Sequence, residues 1–169
     1  AVIRRTLLRE PEMAGWDCGF GLGSWAIGLA PDHGARVVGV TLSEVQLAEA
    51  KQRAVAAGVA DRVEFRLQDY RQVTGPFDRI VSVGMMEHVG KPHLGTYFRK
   101  VNDLLTPDGA ALIHFIAHPQ MPDRNSPWCE KYIFPGSDGP TLSEVRQPPG
   151  GRGGHLGGLG AGAGPRTPA

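Results

Sequence analysis

Residues 17–23, Asp-Cys-Gly-Phe-Gly-Leu-Gly, carry the first pattern with a chemical consequence. Glycine at 19, 21 and 23 lets the backbone approach a ligand closely. A helix that follows such a turn offers its N-terminal N–H groups to a negative group. Taken alone, the turn fits either a tight bend without a ligand or a dinucleotide-type pocket. The spacing is G-x-G-x-G, not G-x-G-x-x-G. Asp17 stands directly before the glycines, where it either accepts a hydrogen bond from an ammonium group, orients the loop or caps the turn at a strand end. Glu87 and His114 sit at the ends of two apolar runs, Ile80 to Val83 and Ala110 to Ile116. By residue type alone, Glu87 also reads as an acid favoured by a helix dipole, and His114 reads as a satisfied core histidine.

These residues need elements to position them. Met13 to Trp16 reads as a weak strand, because glycine lowers strand stability, and Ser24 to Ala30 begins a helix. Arg36 to Val40 is a short apolar strand. Ser43 is a good N-cap with Glu44 in the first turn. Its helix carries Leu47, Ala50, Ala54 and Ala57 on one face and stops at Gly58. Arg62 to Leu67 alternates as a strand does, and Phe77 to Val83 has the continuous apolar run of a buried parallel strand. Leu94 to Leu105 is helical, with Phe98, Val101, Leu104 and Leu105 at helical spacing. Pro107-Asp108-Gly109 is a turn, and Ala110 to Ile116 is a further strand. Strands alternating with helices predict an α/β fold with a doubly wound, mostly parallel sheet.

The composition narrows the function classes. The 169 residues suffice for one domain with a core. With 18 basic and 17 acidic side chains the formal charge is +1, which offers nucleic acid no electrostatic footprint. No apolar run reaches the ~18–20 residues of a membrane span. The first residues lack the apolar segment of a signal peptide. Cys18 and Cys129 read as two reduced thiols, and the histidines show no HExxH or CxxC-type spacing, so no metal site is expected. From Arg146 onward, nine of 24 residues are Gly and four are Pro. Such a stretch buries too little apolar surface to offset its ordering entropy. The expected organisation is therefore a core over 1–145 and a disordered tail over 146–169.

The glycine spacing and the preceding acid resemble class I methyltransferases, in which this loop holds the methionine end of S-adenosylmethionine. Further blocks are more specific. Val37-Val38-Gly39-Val40-Thr41-Leu42-Ser43-Glu44-Val45-Gln46 resembles the V-x-G-[VI]-T-L-S-x-x-Q segment of cyclopropane-fatty-acyl-phospholipid and mycolic acid cyclopropane synthases. Arg66 to Arg71, Phe77 to Gly90, Tyr97-Phe98 and Leu112 to Ile116 are similar to that family nearly residue for residue. So are Pro127-Trp128 and Lys131 to Gly136. The likeness covers about residues 11–145.

The resemblance implies roles. Gly19, Gly21 and Gly23, with Asp17 before them, shape the cofactor pocket. Thr41, Ser43 and Gln46 lie on the ribose and adenosine side, and Gln68 and Asp69 at the adenine. Glu87, His114 and Ile116 hold a bicarbonate ion that serves as base. The implied reaction moves the sulfonium methyl to a cis double bond of a phospholipid acyl chain. A carbocation forms, and loss of a proton from the new methyl closes a ring. Such a cation requires a dry, preorganised site. His88 is expected to be structural or at the surface, and Trp128 and Tyr132 to pack over the sheet.

The family also places a helical region with a cysteine before the glycine loop, and strands carrying a tyrosine after the equivalent of Val145. This sequence shows neither, which makes a truncated core and a frame-shifted tail the expectation. Impaired catalysis, or a module that only binds cofactor, follows from it. A cytoplasmic protein in peripheral contact with membrane lipid is implied, with a homodimer left open and methylation of another acceptor as the alternative chemistry.

Overall fold

A computed structural model describes residues 12–116 and Val145. The tail at 146–169, Cys129, Trp128, Tyr132 and the Lys131 to Gly136 stretch lie outside the described residues. Five strands alternate with three helices: β1 (Ala14–Cys18), α1 (Ser24–His33), β2 (Arg36–Thr41), α2 (Glu44–Ala56), β3 (Val63–Leu67), β4 (Phe77–Val83), α3 (Leu94–Leu104) and β5 (Leu105–His114). They form one parallel sheet in the order β3-β2-β1-β4-β5.

Handedness dictates the layers. Right-handed crossovers that step from β1 outward to β3 lay α1 and α2 on one face, and the step from β4 to β5 runs the other way and lays α3 on the opposite face. The first face buries Phe20, Ala26, Leu29, Ala50, Ala54 and Phe65 against Val37 and Val81. The second buries Trp16, Cys18, Ile80, Leu94, Tyr97, Val101 and Leu104. On α3 the buried set recurs at helical spacing, as the sequence pattern requires.

Two expectations are corrected. The weak first strand is in fact the centre of the sheet, paired on both sides. It runs two residues further than Trp16, so Asp17 lies inside it. Propensity is overridden because Trp16 and Cys18 both point into the α3-side core, with Trp16 stacked on Phe77 at 6.0 Å. Gly15 fits under Val37, whose nearest methyl lies 3.5 Å from where a Cβ would stand. The Pro107-Asp108-Gly109 turn, in turn, does not precede β5 but bulges out of it. Phe77 pairs Leu105 and Arg79 pairs Ala110, so residues 106–109 loop out opposite Asp78. Asp78 binds the excursion, accepting from Thr106 Oγ1 at 3.2 Å and from the Ala14 N–H at 3.0 Å.

Candidate functional site

Sheet order reverses between β1 and β4, and ligands of open parallel sheets bind outside the C-terminal strand ends at that switch point. The loop after β1 occupies it. Gly19, Gly21 and Gly23 have φ of 76°, 57° and 73°, the left-handed region that disfavours side chains. Their surroundings differ. A Cβ on Gly23 would stand 2.5 Å from Phe65 Cζ, so Gly23 lets α1 pack onto the sheet. A Cβ on Gly21 would meet nothing within 4 Å, so the loop is open there.

Asp17 lies beneath this loop. It is buried, and the backbone N–H of Ala26 in the first turn of α1 donates to its carboxylate. Gly23, the N-cap, has no side chain to offer, and α1 has no acid in its first turn. Asp17 therefore caps α1 from the preceding strand. Its Oδ2 has no partner. Burial pushes its pKa up to about 7, with the Ala26 hydrogen bond opposing the rise.

The β2 end is bound locally. The Thr41 hydroxyl donates to Gln46 Oε1 at 2.8 Å and accepts from the Ser43 N–H at 3.2 Å. Ser43 Oγ caps α2 by accepting from the Gln46 N–H at 3.3 Å. Next to it the Gln68 N–H donates to the Thr41 carbonyl at 3.0 Å, bringing the β3 end alongside. Asp69 is claimed by Arg71: its Oδ1 accepts from the Arg71 N–H at 2.8 Å and Nε at 2.9 Å, while Arg71 Nη2 binds Oδ2. The Arg71 guanidinium holds the Asp69 carboxyl below the ordinary aspartate range.

On the β4 side, Glu87 sits in a short turn, Met86–His88, and is buried. Its Oε1 accepts from the Ile116 N–H at 2.7 Å, and its Oε2 is buried without a partner. The Gly84 N–H donates to the His114 carbonyl at 3.0 Å. The main chain at 114–116 and the Glu87 carboxylate are thus brought together. The His114 side chain is exposed, which removes the core-histidine reading, and the Ile116 side chain is 57 % exposed. His88 is exposed.

Several participants escape sequence reading. Met85 lies against Gly19, where a Cβ would stand 2.7 Å from its Cγ, and so joins the glycine loop to the Glu87 turn. Arg71 was within a similar block, yet only geometry shows it as the clamp on Asp69. Leu22, Leu42, Val45 and Leu67 leave large apolar side chains exposed around the β1, β2 and β3 ends.

This architecture, with a glycine loop after β1 and polar groups gathered at the C-terminal rim, is the fold of the class I S-adenosylmethionine-dependent methyltransferases. Residues 2–152 match the model of the mycolic acid cyclopropane synthetase family, and the chain belongs to that family. It is 39% identical over 146 residues to the cyclopropane-fatty-acyl-phospholipid synthase of Escherichia coli K12, covering 86% of this chain and 37% of the relative. It therefore spans little more than a third of that relative's length. Among solved structures, the cyclopropane synthase MmaA2 from Mycobacterium tuberculosis superposes with a TM-score of 0.77 at 27% identity, over 86% of this chain and 56% of that one. Mycolic acid cyclopropane synthase CmaA1, solved with SAH and CTAB, gives 0.74 at 29% identity, over 87% and 55%.

Proposed function

We propose that this chain supplies the cofactor side of an S-adenosylmethionine-dependent enzyme that transfers a methylene group to cis double bonds of phospholipid acyl chains. The observation that carries the reading is the convergence at one sheet end of an open glycine loop, the Thr41–Gln46 pair and a buried carboxylate, Glu87, with a free oxygen.

The residues present fit the cofactor. The open face at Gly21 leaves room for its methionine portion, and the N-terminus of α1 favours the carboxylate there. Thr41, Ser43 and Gln46 form a neutral polar ledge suited to ribose hydroxyls. Gln68 and Asp69 suit the adenine amino group, for which Asp69 retains acceptor capacity beside Arg71. The cofactor, when bound, supplies an electrophilic methyl group. Around the acceptor, Glu87 and the main chain at 114–116 would hold a bicarbonate ion, whose O–H is a donor for the unpartnered Oε2. His114, exposed at the end of β5, would contribute to the same ion site. A buried carboxylate with one oxygen fixed by a backbone N–H costs little reorganisation as positive charge develops nearby.

Similarity to a phospholipid-acting synthase supports a lipid acceptor and contact with a membrane surface. No helix among the described residues is long and apolar enough to cross a membrane. A cytoplasmic setting and a homodimer belong to the same reading, as does weak turnover by this chain on its own.

Calorimetry with S-adenosylhomocysteine tests the cofactor half, and lipid analysis of cells expressing the chain tests turnover. Binding by the chain is expected, with little or no cyclopropane product. Binding without any turnover favours the cofactor-binding module, no binding overturns the reading, and abundant product overturns the impairment. Glu87→Gln keeps the acceptor for Ile116 but alters the charge. It is expected to leave S-adenosylhomocysteine affinity within about threefold, since one altered contact is worth ~1 kcal/mol or less, and to abolish whatever product the wild type forms.

A further inference from the structure

The grip of Arg71 on Asp69 can be counted in lone pairs. A carboxylate offers about four acceptor sites. Asp69 Oδ1 accepts from the Arg71 N–H at 2.8 Å and from Nε at 2.9 Å, which fills both of its sites. Arg71 Nη2 binds Oδ2, and Nε also reaches Oδ2 at 3.1 Å, sharing its one hydrogen. One site on Oδ2 is left. The guanidinium in turn lies over the Tyr70 ring, 6.0 Å from its centroid, and that ring is set edge-on to the buried Tyr97 at 5.8 Å. The Arg71 side chain is 63 % exposed and that of Asp69 19 %. A surface pair of this kind adds little to stability. What it fixes is the direction of the Asp69 carboxylate. Asp69 follows Gln68, whose N–H donates to the Thr41 carbonyl, so the carboxylate is set beside the ledge at the β2 end.

We propose that Arg71 is a positioning residue that sets base specificity: by filling three of the four acceptor sites of Asp69 it leaves one, on Oδ2, for a single donor, and so selects a purine that carries an amino group. The inference rests on the reading of Asp69 as the residue that meets the adenine. An adenine amino group donates to the remaining site. A base with a carbonyl at that position sets a second acceptor against the carboxylate instead. The grip keeps Asp69 ionised, with its carboxyl below the ordinary aspartate range, so Asp69 has no proton to offer such a carbonyl. The positive charge of Arg71 also balances the carboxylate, so a neutral base does not strip water from a bare anion.

Calorimetry of the full chain with S-adenosylhomocysteine and with S-inosylhomocysteine, which carries a carbonyl in place of the adenine amino group, tests it. The wild type is expected to prefer the adenosyl compound by about tenfold or more, the worth of one hydrogen bond to a charged acceptor. Arg71→Ala should cut that preference to about threefold or less as the carboxylate loses its fixed direction. Arg71→Lys keeps the charge without the planar fork and should do the same. It decides alone should the alanine variant not fold. In an Asp69→Ala background Arg71→Ala should change neither affinity further, because Arg71 acts only through that carboxylate. A purely structural role would lower both affinities together and leave their ratio at the wild-type value, which overturns the proposal. A wild type that binds both compounds equally overturns it too, and leaves the cofactor reading standing. A wild type that binds neither sinks both.

Discussion

The two sides of the rim are assembled over very different stretches of chain. At the β2 and β3 ends, side-chain hydrogen bonds join residues two to five apart, Thr41 with Ser43 and Gln46 and Asp69 with Arg71, while a main-chain bond from Gln68 to Thr41 joins the two strand ends. At the β4 and β5 ends, Glu87 reaches Ile116, 29 residues away, and Met85 packs under Gly19. The first side is therefore set by the β–α units that carry it. The second exists only once β4 has docked between β1 and β5. Local sites survive perturbation elsewhere, while a site made of distant contacts inherits every defect in the packing between them.

The glycine loop joins both sides, so substitutions there should break the comparison most severely. Gly23→Ala places a side chain at φ 73° and 2.5 Å from the Phe65 ring. Left-handed strain and overpacking together are expected to cost about 2–5 kcal/mol, read as a lower urea midpoint. Gly21→Ala carries strain at φ 57° but meets nothing within 4 Å. It should cost about 1–2 kcal/mol of stability and yet reduce S-adenosylhomocysteine affinity by more than tenfold, because the open face is where the ligand would lie. Equal affinity in wild type and Gly21→Ala would remove that face from the site.

Asp17 gives the next largest effect, and it depends on pH. Its folded pKa of about 7 lies above the ordinary 3.8, so between those values the folded chain keeps a proton that the unfolded chain has lost. Stability therefore falls as pH rises from about 4 to about 7, at up to about 1.4 kcal/mol per unit, and this contribution is level above that window. Asp17→Asn keeps an acceptor for the Ala26 N–H and removes the titration. Thermal melts across pH 4.5–8 should show a declining midpoint for the wild type and a flatter one for Asp17→Asn; parallel curves would assign the slope elsewhere.

How much of this was legible depends on range. Ser43 as an N-cap, Gly58 as a stop and Phe77 to Val83 as a buried strand follow from neighbours in sequence, and the structure has them there. The central place of β1 was not legible, because a Gly-Trp pair reads poorly until Val37 and Phe77 are seen to fill the space around it. Nor was the excursion at 106–109, since Pro-Asp-Gly signals a turn but not that the strand has already begun at Leu105. Within the site, the residue pattern identified the glycines as candidates, and the family resemblance identified Glu87 and His114. It gave no sign that Asp17 faces Ala26, or that Glu87 meets the Ile116 N–H. Those are facts about which groups meet across the sheet.

Thr41→Val is the mildest test and separates the two sides most cleanly. Valine matches threonine in shape but loses both hydrogen bonds of the hydroxyl, on a residue that is 7 % exposed. The expected loss is about 1 kcal/mol of stability, because the partners, Gln46 Oε1 and the Ser43 N–H, lie in partly exposed residues that water reaches. Gln46 is then free to rotate, and S-adenosylhomocysteine affinity should fall about three- to tenfold, the equivalent of roughly 1 kcal/mol. Gln46→Ala in the same background should add little, since the two side chains act as one unit, and a double-mutant cycle reads that coupling directly. In isotope-edited infrared spectroscopy with ¹³C-labelled glutamate, the Glu87 carboxylate band should stay where it is in Thr41→Val, because the Thr41 hydroxyl bonds Gln46 and Ser43 while Glu87 bonds Ile116. A band that moved would mean that the two sides are coupled through the glycine loop, and that the local side depends on the docking of β4 as much as Glu87 does.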